Sequence, residues 1–173
     1  MAIEHIEIPV LFNQLESSLI ELMEQRQITD PIVIGIHTGG VWVAEKIHNW
    51  LNIKEPLALL DISFYRDDFS QIGMHPKVKQ STLPFTIEGR DIILIDDVFY
   101  TGRTVRAALN EIFEFGRPNQ VILGVLIERN GRQVPIRPDC VGAKVSLADG
   151  QSIKLTGPEP LDLMIERRRY ARD

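Results

Sequence analysis

Two kinds of hydrophobic pattern divide the chain: a spacing typical of helices, and short continuous apolar runs. In the first, apolar residues recur at offsets of 0, 4, 7 and 8, which places them on one face of a helix: Leu15, Leu19, Leu22 and Met23. We therefore predict a first helix over Asn13–Ile28. Asn13 and Glu16, three residues later, match the capping-box pattern of a helix N-terminus.

The short apolar runs predict strands that are buried on both faces, and they alternate with helical segments. The predicted strands are Ile32–Ile36, Leu57–Phe64, Asp91–Ile95 and Val121–Ile127, and the predicted helices between them are Val41–Leu51 and Thr104–Phe115. This alternation predicts an α/β fold, a mainly parallel sheet flanked by helices, with ligands at the carboxyl ends of its strands. Residues 66–88 have no regular period, and a connection of this length is usually functional.

Composition and charge narrow the class of protein. The 173 residues are 44% hydrophobic and 25% charged, as in ordinary globular proteins, and suit a single domain over residues 1–173. The net charge of −5 argues against broad electrostatic binding to nucleic acid. Cys140 is the only cysteine, so no intrachain disulfide forms, and we expect it to be a core residue. With neither a signal-peptide pattern nor an apolar run of ~20 residues, we expect a cytoplasmic protein.

The segment Ile92–Thr104 has the clearest chemical content. An apolar strand is followed by Asp96 and Asp97, and then by a turn into a helix that contains Gly102. Glycine permits a tight loop, and the N–H groups and dipole of a helix start favour an anion such as a phosphate. The carboxylates can accept hydrogen bonds from ribose hydroxyls and help to hold Mg2+, which prefers oxygen ligands.

Each half of this segment also has an ordinary structural explanation. Paired acids after a strand are often a solvated strand end, and the T-G-x-T residues can be a plain helix start. The two halves together, at this spacing, favour a sugar-phosphate site. The two common nucleotide-binding patterns, G-x-x-x-x-G-K-[ST] and G-x-G-x-x-G, are both absent from the chain.

Ile92–Thr104 resembles the signature with which type I phosphoribosyltransferases bind phosphoribosyl pyrophosphate (PRPP). Asp61–Ser70 and Gly116–Gly142 resemble one branch of that superfamily, the bifunctional pyrimidine-operon regulator and uracil phosphoribosyltransferase family. The resemblance covers roughly Ile32–Val145. It implies the type I phosphoribosyltransferase fold, with a small hood contributed mainly by the C-terminal region.

The resemblance also implies which residues bind PRPP. Asp96 and Asp97 occupy the positions that bind the ribose hydroxyls, and the residues that follow form the phosphate-binding loop: Val98, Phe99, Tyr100, Thr101, Gly102, Arg103 and Thr104. Thr38, Gly39 and Gly40 align with the pyrophosphate-binding loop. The better-known pattern there is T-R-G, so Gly39 replaces an arginine and one cationic contact to pyrophosphate is absent.

The remaining site residues follow from the same resemblance. Arg66 begins the loop that closes over the reaction, and it is the candidate for stabilising charge on the leaving group; the alternative is a solvated surface arginine. Asp97 is the second predicted catalytic residue. Arg129, Ile136 and Val145 lie in the region that resembles the hood over the base, where backbone groups can recognise uracil.

The implied function is conversion of uracil and PRPP to UMP and pyrophosphate, with Mg2+ bound mainly through PRPP. A second hypothesis is an RNA-binding regulator that recognises pyrimidine mRNA leaders and senses nucleotides, with a basic face formed by Arg132, Arg137 and Lys144. A third is a purine phosphoribosyltransferase, because the PRPP half of the site is shared. The resemblance also suggests a homodimer or a larger homo-oligomer.

Overall fold

The computed structural model describes residues 7–62 and 83–167. Within these ranges the chain forms, in order, α1 (Ile8–Gln25), β1 (Ile32–Ile36), α2 (Gly39–Trp50), β2 (Ala58–Leu60), β3 (Asp91–Phe99), α3 (Arg103–Phe115), β4 (Gln120–Arg129), β5 (Cys140–Val145), β6 (Gln151–Thr156) and β7 (Asp162–Arg167). None of the described helices is long and apolar enough to cross a bilayer.

Five strands form one parallel sheet in the order β2-β1-β3-β4-β5. The central strands are almost wholly buried because helices cover both faces of the sheet, as their continuous apolar sequences predict. β6 and β7 form a separate antiparallel pair. The α/β architecture predicted from the sequence is confirmed.

Alternate residues of the strands enter two hydrophobic clusters on opposite faces of the sheet. Ile93 and Ile95 join the cluster that α1 and α2 cover, whereas Ile92 and Leu94 join the cluster that α3 covers. The β6–β7 pair extends the first cluster, because Ile153 and Leu155 are buried in it. The packing thus fixes the sheet on both sides and leaves the carboxyl ends of its strands for ligands.

The first helix corrects one prediction. It begins at Ile8 rather than Asn13, with Pro9 in its first turn, where the missing N–H of proline costs no helical hydrogen bond. The capping-box interpretation of Asn13 and Glu16 is therefore wrong, since both lie inside the helix. The helix starts earlier because Leu11 and Phe12 also pack into the core.

Other differences concern strand ends. β3 continues to Phe99, so Asp96 and Asp97 lie within the strand rather than in the loop that follows it. The second strand is Ala58–Leu60, shorter than predicted, and residues 63 and 64 of that prediction lie outside the described ranges. The strands β5, β6 and β7 were not predicted.

Candidate functional site

The site begins where two neighbouring strands end together. β1 and β3 pair in parallel, with Gly35 opposite Ile95, so the loop after β1 meets the last residues of β3. α2 approaches β3 very closely at this point. A Cβ on Gly40 would lie 2.9 Å from Cα of Asp96, so only glycine permits this contact. The predicted loop of Thr38 to Gly40 is thus the start of α2, with Thr38 as its N-terminal cap, and it lies against the acidic pair through Gly39 and Gly40.

The two carboxylates of this pair have different environments. Asp96 is buried, with 4% of its surface exposed, and its Oδ1 accepts a hydrogen bond of 2.9 Å from the N–H of Asp97. Asp97 is half-buried and faces the start of α2, because its carboxylate lies against Gly39. Successive residues of a strand point to opposite sides, so the two carboxylates border different parts of the site: Asp97 faces Gly39, and Asp96 lines the small cavity around the loop that follows β3.

A tight loop follows the pair and leads into α3. Gly102 is the N-terminal cap of α3 and has a φ of 86°, in the left-handed region that favours glycine. Oγ1 of Thr101 accepts a hydrogen bond of 3.3 Å from the N–H of Arg103, which orders the turn. The loop surrounds a cavity of about 100 Å3 at the helix N-terminus, where N–H groups and the helix dipole favour an anion. The lining residues are Asp96, Val98, Phe99, Tyr100, Thr101, Gly102, Thr104 and Val105.

A larger cavity of about 440 Å3 adjoins this loop and shares Tyr100 with it. Its walls come from the end of β4, the turn between β5 and β6, and one residue of β7: Arg129, Asn130, Gly131, Leu147, Ala148, Asp149, Gly150, Gln151, Ser152 and Glu166. Asn130 joins two of these walls, because its side-chain amide exchanges hydrogen bonds of 2.9 and 3.2 Å with the backbone of Leu147. A cavity of this size suits a planar heterocycle.

Tyr100 and Arg129 form a stacked pair between the two cavities. The guanidinium carbon of Arg129 lies 3.9 Å from the centre of the Tyr100 ring, within cation–π range. The Nε–H of Arg129 is buried and has no hydrogen-bond partner among the described residues. Gly131 completes the arrangement, because a Cβ there would collide with the Tyr100 ring.

Comparison with known proteins identifies the family. The Phosphoribosyl transferase domain matches residues 6–155. Bifunctional protein PyrR of Nitrosococcus oceani is 53% identical over 163 residues, which cover 93% of this chain and 92% of that protein. The chain belongs to the phosphoribosyl transferase family, in the branch of the bifunctional PyrR proteins. A second member of the branch, from Pseudomonas syringae pv. tomato, is 54% identical over 156 residues, covering 90% of this chain and 92% of that protein.

Solved structures show the same fold at much lower identity. A hypoxanthine-guanine phosphoribosyltransferase from Bacillus anthracis matches with a TM-score of 0.64 and 17% identity, over 82% of each chain. A hypoxanthine phosphoribosyltransferase from Staphylococcus aureus matches with a TM-score of 0.62 and 19% identity, over 80% of this chain and 74% of that one. The predicted type I phosphoribosyltransferase fold and the branch predicted from the sequence are both confirmed.

The structure brings most of the predicted site residues of this family member together. Gly39 and Gly40 border the acidic pair, and Thr38 precedes them as the N-terminal cap of α2. All residues of the predicted phosphate loop except Arg103 line the smaller cavity. Arg129 lines the larger cavity. Val145 and Ile136 line neither cavity: Val145 is buried in the core beneath the β6–β7 pair, and Ile136 packs on the opposite cluster. Arg66 and its neighbours Tyr65, Asp67 and Asp68 lie outside the described residues.

Several cavity residues were missed by sequence reasoning, namely those of the β5–β6 turn, Asn130 and Glu166. The sequence does contain a signal for their framework. Ile153 and Leu155 alternate with polar residues before the prolines at 158 and 160, and Leu161 and Leu163 alternate after them. Alternation with a period of two on both sides of a turn is typical of a hairpin.

Mg2+ is the cation expected with PRPP, and the side chains that could bind it are the carboxylates near the cleft. No group of three or more His, Cys, Asp or Glu side chains suited to a metal ion occurs within residues 7–62 and 83–167. Two neighbouring carboxylates, Asp96 and Asp97, do border the cleft. They fit an ion that takes most of its ligands from phosphate oxygens and water, as Mg2+ usually does, rather than from an all-protein cage.

Proposed function

We propose that this protein is a uracil phosphoribosyltransferase, which converts uracil and PRPP to UMP and pyrophosphate. One observation carries the proposal: the acidic pair at the end of β3 leads directly into a phosphate-sized cavity at a helix N-terminus, and a second cavity of about 440 Å3 adjoins it. A sugar phosphate with a base attached needs these three parts in this order. Membership of the bifunctional PyrR branch supports a pyrimidine as the base.

In this proposal each part of PRPP has its own contacts. The 5′-phosphate binds in the loop around Gly102, where N–H groups and the hydroxyls of Thr101 and Thr104 donate hydrogen bonds. Asp97 accepts hydrogen bonds from the ribose hydroxyls, and Asp96 supports it through the strand backbone. The pyrophosphate group lies along Thr38 and the first residues of α2, Gly39 and Gly40, and uracil occupies the larger cavity.

The proposed reaction is a displacement at C1 of the ribose. The uracil nitrogen forms a bond to C1 with its electron pair, the bond from C1 to the pyrophosphate oxygen breaks, and the N–H proton of uracil passes to the departing pyrophosphate. The residues act by aligning the two substrates and by excluding water, so no protein nucleophile is required. When bound with PRPP, Mg2+ supplies neutralisation of the charge on the leaving group. Arg66 remains the candidate side chain for stabilising the same charge on the leaving group.

Product analysis tests this function. The purified protein is incubated with PRPP, Mg2+ and uracil, cytosine, hypoxanthine or guanine in turn, and nucleotide formation is followed. We expect UMP from uracil alone, and a loss of at least about 100-fold in kcat/KM for Asp97→Asn, since removal of one well-placed charged contact commonly costs this much. Asp91→Asn is the matched control, because it changes the same side chain at the other end of β3, where Asp91 bonds to Asn119.

Other products would overturn the proposal in specific ways. Nucleotide formed from hypoxanthine or guanine but not from uracil would establish a purine phosphoribosyltransferase instead. UMP binding without turnover of any base would indicate a nucleotide-sensing protein that retains the fold and not the reaction. Equal losses of kcat/KM in Asp97→Asn and Asp91→Asn would show that the acidic pair is not part of the substrate-binding site.

We also propose a regulatory role in binding pyrimidine mRNA leaders, which the description of the relatives as bifunctional supports. Arg132 and Arg137 are exposed in the segment between β4 and β5, whereas Lys144 forms an ion pair of 3.4 Å with Glu128. Filter binding with leader RNA at several salt concentrations tests this role. We expect an affinity that falls with salt and changes with UMP, and weak binding at low salt that ignores UMP would contradict it.

The assembly and location of the protein follow as further proposals. We expect a homodimer or larger homo-oligomer in the cytoplasm. Exposed aromatic side chains on α3, Phe113 at 56% and Phe115 at 52%, support a covered surface in solution. Sedimentation equilibrium gives the mass directly, and a monomer at micromolar concentration would contradict the expectation.

A further inference from the structure

The segment Gly131–Val134, which we call the brace, lies directly along the phosphate loop. Three contacts run in register. Gly131 packs against the ring of Tyr100, the N–H of Gln133 donates a hydrogen bond of 2.9 Å to the carbonyl oxygen of Thr101, and Val134 packs against Gly102. Both glycines leave no space for a Cβ, so the brace and the loop are in van der Waals contact. A shift of one therefore requires a shift of the other.

The same segment reaches the larger cavity through its first residue and through the end of β4. Gly131 lines that cavity, and Arg129, two residues earlier, stacks on Tyr100 at 3.9 Å. Tyr100 lines both cavities. Arg129 lines the larger cavity, and its buried Nε–H has no partner among the described residues. The position of this donor is thus fixed by Tyr100, and the position of Tyr100 by the loop and the brace.

We propose that the brace and the Tyr100–Arg129 stack couple the two cavities, so that a phosphate in the loop orients Arg129 for the base. This inference rests on the proposed function, because it assumes that the larger cavity holds the base. It makes Val134 a positioning residue: it lines neither cavity, and it acts through its contact with Gly102. Tyr100, which lines both cavities, takes part through its ring.

The physical reason is the close packing of the elements involved. A phosphate that accepts hydrogen bonds from the loop N–H groups restricts the loop to one conformation. Because Val134 and Gly131 leave no gap, that restriction extends to the Tyr100 ring and to the guanidinium stacked on it. A base that binds afterwards meets a donor already in place and loses less conformational entropy, which appears as a tighter affinity.

Calorimetric titration of uracil, with and without saturating ribose 5-phosphate, measures this coupling. For the unmodified protein we expect ribose 5-phosphate to tighten uracil binding by about 5-fold or more, the usual lower range of coupling between sites. In Val134→Ala the factor should fall below about 2-fold, on the same scale. Val141→Ala is the matched control: the same truncation of a half-buried valine, on β5 and away from the loop, should keep the coupling.

Two further substitutions separate the ring from its hydroxyl. Tyr100→Phe retains the stack and should retain the coupling, whereas Tyr100→Leu loses the aromatic face and should lose it. A purely structural role of these residues would lower the melting temperature and leave the ratio of the two uracil affinities unchanged, which would overturn the inference. The inference would also be overturned if ribose 5-phosphate did not change the affinity of the unmodified protein for uracil, or if uracil did not bind with or without it.

The calorimetric titration requires no reaction, so a failure of the transferase proposal can be distinguished from a failure of the coupling between the two cavities. Coupling that is present in the unmodified protein and lost in Val134→Ala, together with no UMP formation from PRPP, would overturn the transferase proposal and sustain the inference. UMP formation with equal coupling in Val134→Ala and Val141→Ala would sustain the transferase proposal and overturn the inference.

Discussion

The carboxylate of Asp97 occupies the space in which a side chain at position 39 would begin. A Cβ built on Gly39 would lie 2.6 Å from Cγ of Asp97, and still closer to Oδ2. An added side chain at position 39 would therefore displace the Asp97 side chain, whereas the backbone angles of Gly39 place no such restriction on it. The arginine of the T-R-G pattern would therefore collide with Asp97 in its present position. The glycine at position 39 and the position of the Asp97 carboxylate thus depend on each other.

Restoring that arginine should consequently impair the protein. We expect Gly39→Ala and Gly39→Arg each to displace Asp97 and to raise the KM for PRPP by about 10-fold or more, which corresponds to ~1.4 kcal/mol of lost binding. Steady-state kinetics of UMP formation gives the value, and thermal denaturation checks that the variants fold. Tighter PRPP binding in Gly39→Arg would contradict this account and indicate that the loop moves to accept the side chain.

Gly102 is expected to be intolerant of any side chain for two separate reasons. Its φ of 86° lies in the left-handed region, and a Cβ would collide with Val134 and lie 3.1 Å from the ring of Phe99. Gly102→Ala should destabilise the fold by about 1–3 kcal/mol and weaken ribose 5-phosphate binding. Gly89→Ala is the control, since its φ of 68° is also left-handed but no atom lies within 4 Å. Chemical denaturation should show a smaller loss there.

Asp139 connects three elements through one carboxylate. Oδ2 accepts a hydrogen bond of 2.9 Å from the N–H of Leu123 in β4, and Oδ1 forms an ion pair of 3.1 Å with Arg26 after α1. Asp139→Ala leaves the N–H of Leu123, which is 5% exposed, without its acceptor, and should cost about 1–3 kcal/mol. Arg26→Ala removes only the exposed ion pair and should cost about 1 kcal/mol or less. Urea titrations that rank the two variants in the opposite order would refute this division.

Burial of Cys140 predicts an alkaline limit to stability. Burial raises the pKa of this thiol to about 11 from an ordinary value of 9.0. Because the folded-state pKa is raised, the unfolded chain loses its proton first as the pH increases. The stabilisation is complete below about pH 9 and is lost between there and about pH 11, amounting to roughly 2–3 kcal/mol.

The free energy of unfolding, measured against pH for the unmodified protein and for Cys140→Ala, isolates this contribution. The difference between the two curves should be flat up to about pH 8.5 and should narrow above it, whereas lysine and tyrosine titrations cancel in the subtraction. A constant difference up to pH 11 would show that burial does not raise the pKa of this thiol above its value in the unfolded chain. The native thiol should also resist alkylation at neutral pH.

Local sequence was sufficient for the half of the site that we propose to bind PRPP. The apolar run of β3, the acids that follow it and the glycine at the start of α3 are contiguous, so strand, loop and helix start were predictable from residues 92–104 alone. The same locality explains the correct strand and helix alternation. Where prediction missed a boundary, as at Ile8 and Phe99, packing of the next apolar residue extended the element beyond its sequence signal.

The half of the site that we propose to bind the base was decided by tertiary structure. The larger cavity takes its walls from the end of β4, the β5–β6 turn and Glu166, segments that are distant in sequence. They meet because β5 pairs with β4 and the β6–β7 pair packs into the core through Ile153 and Leu155. The stack of Tyr100 on Arg129 follows from the pairing of β3 with β4, in which Phe99 lies opposite Glu128, the residues just before the stacked pair. A contiguous loop encodes a phosphate site by itself, whereas a cavity between elements exists only once their hydrophobic faces have been buried together.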